Sequence, residues 1–284
     1  MMSCEKFIIF TRGRTGSTAI VDEIDLHNQA SCLQEPFIPL SGSKKLMVYV
    51  NKGEKIDFEG VLKDKGFLPF EFWLKQWHSM RLFGKSIFWQ DFRWHGISGL
   101  LKVYLEELRS GERQKQHEEL KAFGFKLLIH HLNNWPSLMQ IIKDDGYKVV
   151  YLERKNVVKQ VLSGMVAKQR GVYNRKNFVA PDEAYTLNLD DFEKLVKYEL
   201  FLVDEEKQKL KQEGLELLIV SYEDFLFNRE VFLREVFEFI GVEFELPDAS
   251  GYSIMIKDMK DIISNYDDLL VKVNEMGMGS FLEQ

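Results

Sequence analysis

The sequence predicts an α/β protein in which an open parallel sheet is flanked by helices, with a mainly helical insertion. Apolar runs of strand length alternate with amphipathic stretches of helical period, first near residue 7 and again from residue 123. This alternation is typical of a parallel sheet, because parallel strands need crossover connections that are usually helices. Residues 38–120 interrupt the alternation, but no repeat or low-complexity linker divides the chain. We therefore expect a single domain over residues 1–284, with an insertion at about 38–120.

The first predicted elements are a strand, a loop and a helix. Residues 7–10 read FIIF, a short apolar run that indicates a buried strand. The segment RGRTGST, residues 12–18, follows at once, and we call it the basic loop. A helix is expected from Thr18 to about His27, followed by CLQEPF, a short strand or turn that ends at Pro36.

Three further strands and four further helices are expected after residue 123. The predicted strands are FKLLIHHL at 125–132, YKVVYLER at 147–154 and LELLIVSY at 215–222. The predicted helices span 136–146, 156–170, 190–212 and 230–241. Asn156 is suited to cap the second of these helices, and Ser163 lies off its apolar stripe.

The insertion is rich in aromatic side chains. They are Phe67, Phe70, Phe72, Trp73, Trp77, Phe83, Phe88, Trp89, Phe92 and Trp94. Large aromatic side chains are usually buried, so we expect most of these to belong to the core. An acceptor-binding pocket or a surface for a partner stays open as the alternative.

Composition narrows the class of protein. A net charge of −6 argues against a surface that coats nucleic acid, so we expect no nucleic-acid partner. Cys4 and Cys32 alone cannot make a disulfide framework, and no Cys/His cluster has zinc-ligand spacing. No apolar run reaches the roughly 18 residues that span a bilayer, and the residues before Phe7 do not read as a signal peptide. We expect a soluble, cytoplasmic protein.

The basic loop has the composition of an anion-binding site. Gly13 and Gly16 allow a ligand to approach the backbone closely, and a helix N-terminus at Ser17 would add partial positive charge. Arg12 and Arg14 add two full charges. The loop lacks the Lys of the G-x-x-x-x-G-K-[ST] phosphate loop. This absence argues against a binding site for a Mg-nucleoside triphosphate.

A second candidate site follows the predicted strand at 147–154. Arg154 lies at the carboxyl end of that strand, where open α/β sheets bind ligands, and Ser163 follows in the next helix. A guanidinium with a nearby hydroxyl suits a phosphate monoester. A surface Arg and a solvated Ser are the alternative.

Together these segments resemble the sulfotransferases that use 3'-phosphoadenosine 5'-phosphosulfate. RTGST is similar to the family's 5'-phosphosulfate loop, and YLERKNVVKQVLS to its 3'-phosphate motif, in the family's order. The segment 148–171 resembles bacterial carbohydrate sulfotransferases, 215–242 resembles the family's strand, Tyr-Glu-Asp turn and closing helix, and MKDIISNYDDL resembles the tail of some bacterial members. Residues 38–120 match nothing comparable, and in this family that region commonly shapes the acceptor site.

The resemblance implies a set of co-substrate ligands and no metal. The 5'-phosphosulfate would be held by Arg12, Gly13, Arg14, Thr15, Gly16, Ser17 and Thr18, with Arg14 next to the transferring group. Arg154 and Ser163 would hold the 3'-phosphate, and Tyr222 would lie near the adenine unless it is a buried structural residue. The Arg-Lys-Gly loop of many cytosolic members is missing, and Lys257 or Lys260 is the candidate substitute.

The implied reaction moves a sulfuryl group to a hydroxyl, or less favourably an amine, of a carbohydrate or other small hydroxylated acceptor. A general base must take the acceptor's proton. Glu35 is slightly preferred, because LQEPF resembles the F-E-P segment whose Glu is the base in carbohydrate sulfotransferases. His131 is the second candidate, from the resemblance of KLLIHHL to the K-x-H-L-P segment, and it could instead stabilise the transferring group. Lys126 is a weaker electrostatic candidate.

Two other functions stay open at this point. One is a phosphate-loop kinase or NTPase, against which the missing Lys and the lack of an obvious Mg-binding Asp both argue. The other is a non-catalytic nucleotide-binding or scaffold protein with the aromatic insertion as its interaction surface. The candidate bases favour catalysis.

Overall fold

A computed structural model describes residues 4–39, 56–81, 87–115, 120–171, 184–252 and 259–283, without the side chains of 77–81 and 87–95. Its centre is a five-stranded parallel sheet in the order β2-β3-β1-β4-β5. The strands are β1 (Glu5–Thr11), β2 (Ala30–Leu33), β3 (Ala122–Leu128), β4 (Lys148–Glu153) and β5 (Leu217–Ser221). The predicted α/β fold with a parallel sheet is therefore confirmed.

Helices connect and cover the strands. The first half of the chain contains α1 (Ser17–Asp25), α2 (Phe58–Lys65), α3 (Phe70–Arg81), α4 (Ile87–Lys115), α5 (Ile129–Asn134) and α6 (Ser137–Asp144). The second half contains α7 (Val157–Arg170), α8 (Leu189–Gln212), α9 (Tyr222–Phe227), α10 (Arg229–Ile240), α11 (Met259–Ile262), α12 (Tyr266–Glu275) and α13 (Ser280–Glu283). The helix α4 is interrupted at Gly96, whose φ of 57° and ψ of −162° are not helical.

The two faces of the sheet are both buried, as parallel sheets require. Alternate residues of β1 point to opposite sides, so Ile8 and Phe10 belong to one apolar cluster and Phe7 and Ile9 to the other. The first cluster includes side chains of α2, α3 and α4, and the second includes those of α1 and α10. A third cluster joins α7, α8 and α12.

The aromatic insertion contributes directly to the first cluster. Phe67, Phe70, Phe72 and Trp73 are all buried, as expected. Phe70 contacts Phe37 and Tyr104, with ring centroids 5.8 and 5.1 Å apart. The prediction also included Trp77, Phe83, Phe88, Trp89, Phe92 and Trp94, whose side chains lie outside the described part of the structure. The described part of the insertion is helical and packs on the sheet.

Three predicted boundaries are wrong. The segment CLQEPF, expected as a short strand or turn, contains the last two residues of β2 and then a turn, but the strand begins earlier, at Ala30, and pairs with β3. The predicted strand at 125–132 ends at Leu128, the last residue of β3 that pairs with β1. The predicted strand at 215–222 ends at Ser221, whose hydroxyl accepts from the amide of Asp224 and so begins α9 at the next residue. A local cap thus overrides the apolar pattern.

Candidate active site

The basic loop connects the central strand β1 to α1 at the carboxyl edge of the sheet. Arg14 and Gly16 both have left-handed backbone conformations, with φ of 67° and 69°. Gly16 is the N-cap of α1, no side chain bonds to the cap, and the first turn of this described helix contains no acidic residue. The N-terminus of α1 therefore presents backbone N–H groups and partial positive charge at the loop.

Gly16 lies directly under the ring of Tyr222. A Cβ atom at this position would lie 2.1 Å from Cε2 of Tyr222, far inside van der Waals contact. Gly16 is thus required twice, by its positive φ and by the ring above it. Gly13 differs, because a Cβ there would meet nothing within 4 Å.

Side chains outside the predicted set hold the loop in shape. The hydroxyl of Thr11 donates to the carbonyl of Leu152 at 2.7 Å and lies 2.7 Å from that of Thr15. Nε2 of Gln160 donates to the carbonyl of Gly13 at 3.0 Å. Sequence reasoning missed Gln160, although it lies three residues before Ser163 and therefore on the same side of α7.

The structure brings Arg14, Arg154 and Ser163 together. Arg14 donates to the hydroxyl of Ser163 from Nε at 3.1 Å and from Nη2 at 2.9 Å. Nη1 of Arg154 donates to the carbonyl of Arg14 at 3.1 Å. The two sequence motifs therefore lie side by side and form one cationic site. Asn156 caps α7 as predicted, because its side chain accepts from the amide of Lys159 at 2.9 Å.

Arg154 is a partly buried cation without a full set of partners. Its guanidinium lies 5.1 Å from the centroid of the Tyr222 ring. Its Nε is buried and has no hydrogen-bond partner in the described chain. Burial lowers the pKa of Arg154, an effect that Tyr222 and Glu223 partly oppose. A partly buried guanidinium with an unused, buried Nε donor is an arrangement that an anionic ligand stabilises.

Arg12 turns away from this group. Its Nε donates to Oε2 of Glu199 at 2.5 Å, its Nη2 to Oε1 of the same residue at 3.2 Å, and its Nη1 to Glu206. Burial raises the pKa of Glu206, although Arg12 opposes this. The structure therefore does not bring the side chain of Arg12 together with Arg14 and Arg154.

Glu35 forms an ion pair with the buried Lys126 beside α1. Its Oε1 lies 2.7 Å from Nζ of Lys126, and that ammonium also donates to the hydroxyl of Thr18 at 3.2 Å. Lys126 is 2% exposed. Burial alone would raise the pKa of Glu35, but the charge and hydrogen bond of Lys126 outweigh it and hold this pKa below its usual value. Glu35 is thus an ionised carboxylate linked to the first turn of α1.

His131 lies in α5, so the expected strand position for His130 and His131 is wrong. Nδ1 of His131 accepts from the amide of Leu128 at 3.2 Å, a side-chain bond back to the cap that starts the helix. Burial, and then the neighbouring His130, lower the pKa of His131 to about 3. The ring is neutral and carries its proton on Nε2, a buried atom with no partner among the described residues.

The other predicted residues are placed as follows. Ser17 is the first residue of α1 and is buried, and Tyr222 covers the loop at Gly16 and Arg154. Lys257 lies outside the described residues, and Lys260 lies in α11. In the described ranges no three His, Cys, Asp or Glu side chains cluster as metal ligands. No helix in these ranges is long and apolar enough to cross a membrane.

Comparisons with known proteins return sulfotransferase structures at low identity. A sulfotransferase from Alicyclobacillus acidocaldarius is 13% identical to this chain, with a TM-score of 0.43. The match covers 99% of this chain and 97% of the sulfotransferase. Sulfotransferase domains of the Synechococcus PCC 7002 olefin synthase and the curacin biosynthetic pathway are 13% and 14% identical, with TM-scores of 0.44 and 0.42. Both matches cover 86% of this chain and 76% of the matched domain. No family model and no curated protein match the chain.

Proposed function

We propose that the protein is a sulfotransferase that moves a sulfuryl group from 3'-phosphoadenosine 5'-phosphosulfate to a hydroxyl of a small acceptor. One observation carries the proposal. Arg14 of the basic loop bonds to Ser163, and Arg154 bonds to the backbone of Arg14, so two anion-binding elements form one site. A ligand with two separate anionic groups matches this pair better than a ligand with one.

The co-substrate's anionic groups have distinct partners in this proposal. The N-terminus of α1 and the basic loop bind the 5'-phosphosulfate through backbone N–H groups, with Arg14 as the nearby cation. Arg154 and the hydroxyl of Ser163 bind the 3'-phosphate, and the unused Nε of Arg154 gives that phosphate a donor. Tyr222, which stacks on Arg154, lies beside the nucleotide.

The transfer itself needs little covalent chemistry from the protein. The acceptor oxygen forms a bond to sulfur while the bond from sulfur to the phosphate oxygen breaks, and the phosphate leaves with that electron pair. Arg14 and the α1 N-terminus stabilise the charge on the transferring and leaving oxygens. The acceptor's proton passes to Glu35. The lowered pKa of Glu35 keeps its carboxylate ionised at neutral pH, although it also makes the carboxylate a weaker base.

Glu35 is assigned as the base in preference to His131. The Nδ1 atom of His131 accepts a backbone hydrogen bond, and its Nε2 already carries the proton of the neutral ring. Such a ring can donate but cannot accept through Nε2. His131 is therefore proposed as a donor to the acceptor or to the transferring group.

The acceptor is proposed to be a carbohydrate or another hydroxylated small molecule. The Glu-Pro segment at Glu35 resembles that of carbohydrate sulfotransferases. Two buried N–H donors near the end of α5 also support an oxygen-rich ligand, because Nε2 of His131 and Nε1 of Trp135 have no partner within the described part of the chain. Trp135 directly follows α5, and its amide donates to the carbonyl of His131 at 3.0 Å, so the two residues are one turn apart.

Calorimetric titration tests the pairing of two anion sites. We expect 3'-phosphoadenosine 5'-phosphate to bind at least about tenfold more tightly than adenosine 5'-phosphosulfate, which has no 3'-phosphate. Transfer of labelled sulfur to hydroxylated acceptors should accompany that binding. Equal affinity for the two nucleotides would contradict the proposed role of Arg154 and Ser163.

A further inference from the structure

We propose that Arg12 is a positioning residue: its ion pairs with Glu199 and Glu206 hold the basic loop in its anion-binding shape, and it does not bind the anion itself. We call these three residues the Arg12 clamp. The identity of the anion rests on the proposed function, whereas the clamp's effect on the loop does not.

All three guanidinium nitrogens of Arg12 bond to carboxylates. Its Nε and Nη2 form a two-point pair with Glu199, at 2.5 and 3.2 Å, and its Nη1 contacts Glu206. The side chains of Arg12, Glu199 and Glu206 are only 11%, 21% and 10% exposed. Each guanidinium nitrogen thus donates to a carboxylate in a site that is shielded from water, where such pairs are geometrically specific.

The clamp joins three elements. Glu199 and Glu206 are seven residues apart, so they lie on one side of α8. Glu206 also accepts from the hydroxyl of Tyr151 at 3.0 Å, and Tyr151 is a buried residue of β4. Arg12 therefore ties the start of the loop to α8 and, through Glu206, to the strand beside β1.

The same residue also begins the turn of the loop. The carbonyl of Arg12 accepts from the hydroxyl of Thr15 at 3.1 Å, and Arg14, with its φ of 67°, lies between them. A non-glycine residue keeps a left-handed conformation only where its surroundings enforce it. The Arg12 clamp before Arg14 and the hydrogen bonds of Thr15 after it hold the backbone of Arg14 in this conformation.

Charge argues against Arg12 as a ligand of the anion. One guanidinium faces two carboxylates, so the ionised clamp carries a net negative charge next to a site for an anion. An anion that recruited Arg12 would leave both carboxylates without their partner in a largely buried place, which is costly. The arrangement favours a fixed Arg12 and leaves Arg14 and Arg154 as the cations of the site.

Four variants of the full-length chain test the clamp. They are Arg12→Met, the double variant Glu199→Gln with Glu206→Gln, the triple combination, and Lys207→Gln. Lys207 pairs with Glu153 at 2.9 Å and so links α8 to β4 as the clamp does, but it does not touch the loop. It is the matched control for a general loosening of α8.

The first readout is hydrogen exchange at the amides of residues 13–18 in ligand-free protein. We expect the Arg12 and double variants to exchange at least about tenfold faster there, and the triple variant to be no faster than Arg12→Met. Lys207→Gln should leave the loop unchanged. Unchanged exchange in all variants, or the same acceleration in Lys207→Gln, would overturn the clamp.

The second readout is the affinity for 3'-phosphoadenosine 5'-phosphate. The clamp predicts that the double variant binds about tenfold more weakly than the parent protein. If Arg12 were instead able to bind the anion once it is released from its carboxylates, the double variant would bind the nucleotide more tightly, and that result would overturn the proposal.

If the parent protein does not bind this nucleotide, the proposed function fails, while the exchange measurement still decides the clamp. Should Arg12→Met not fold, Arg12→Lys, which loses the two-point pair, takes its place in both measurements.

Discussion

The guanidinium of Arg14 donates to the hydroxyl of Ser163 through both Nε and Nη2, at 3.1 and 2.9 Å. Arg14 follows the central strand, whereas Ser163 lies in the helix after the neighbouring strand β4. The contact therefore places the two halves of the proposed co-substrate site side by side. A ligand's anionic groups would replace or share this hydroxyl contact, since a guanidinium binds an anion more strongly than a neutral oxygen.

Substitution of Arg14 should weaken nucleotide binding more than substitution of Ser163. Arg14→Met removes a cation, and hydrogen bonds to charged groups contribute about 1.5–3 kcal/mol each, so we expect a loss of affinity of roughly tenfold to a hundredfold. Ser163→Ala removes one neutral donor and should cost about tenfold or less. Calorimetric titration with 3'-phosphoadenosine 5'-phosphate measures both, and a larger effect at Ser163 would contradict the assignment of charge to Arg14.

Gly16→Ala should disrupt the loop, because its Cβ would overlap the ring of Tyr222 and its φ is 69°. We expect a loss of stability of at least about 1 kcal/mol, seen as a lower melting temperature, together with weaker nucleotide binding. Gly13→Ala is the matched control, since that Cβ meets nothing within 4 Å.

The double variant Gly16→Ala with Tyr222→Ala separates the two causes of this loss. Removal of the ring should restore part of the stability but not the part that comes from the positive φ. If Gly13→Ala destabilises the protein as much as Gly16→Ala does, the described packing of the loop is wrong.

The ion pair of Glu35 with Lys126 should set the low-pH limit of activity and stability. Because the folded state lowers the pKa of Glu35, this pair stabilises the protein above the carboxyl's ordinary pKa of 4.5, and the contribution is lost as the pH falls below that value. Lys126→Met leaves this partly buried carboxylate without its cation. We expect a loss of about 3 kcal/mol at neutral pH and an acid limb of kcat/KM that moves to higher pH.

Glu35→Gln is the companion to that variant. It should abolish most turnover while leaving nucleotide affinity near that of the parent protein, because Glu35 acts on the acceptor. The double variant Glu35→Gln with Lys126→Met should be more stable than Lys126→Met alone, since it no longer contains a carboxylate without its cation. Turnover that survives Glu35→Gln would show that another group takes the proton.

His131 should behave as a neutral donor throughout the physiological range. Its pKa of about 3 lies below the ordinary 6.5, so the unfolded chain takes up a proton first, and stability is lost as the pH falls from about 6.5 towards 3. His131→Gln keeps an acceptor for the amide of Leu128 and a donor, so we expect near-parent stability, a flatter dependence on pH and retained turnover. Loss of turnover in this variant would favour His131 as the base.

The sequence was most informative where chemistry and periodicity agreed. The parallel sheet, the basic loop at the end of β1 and the cap at Asn156 follow from local patterns, because apolar runs, glycines and capping side chains act within a few residues. Arg154 and Ser163 were predicted from a resemblance and from the rule that ligands bind at the carboxyl ends of strands. The structure places both beside Arg14.

Other features could not be read from local patterns. The direction of the Arg12 side chain depends on Glu199 and Glu206, which are nearly two hundred residues away in the sequence and lie on a charged helix without a recognisable motif. The end of β3 at Leu128 depends on the bond from its amide to His131, although the apolar pattern alone continues to Leu132. Long-range ion pairs and side-chain caps were decisive at both places.

Thermal stabilisation by nucleotides tests the central claim most directly, since a ligand that binds only the folded state raises its melting temperature. The melting temperature is measured with saturating 3'-phosphoadenosine 5'-phosphate and, separately, with Mg-ATP. We predict a clear rise of several degrees with the first and little change with the second, and the first rise should shrink in Arg154→Met. A rise with Mg-ATP and none with 3'-phosphoadenosine 5'-phosphate would contradict the assignment of the site to a sulfotransferase.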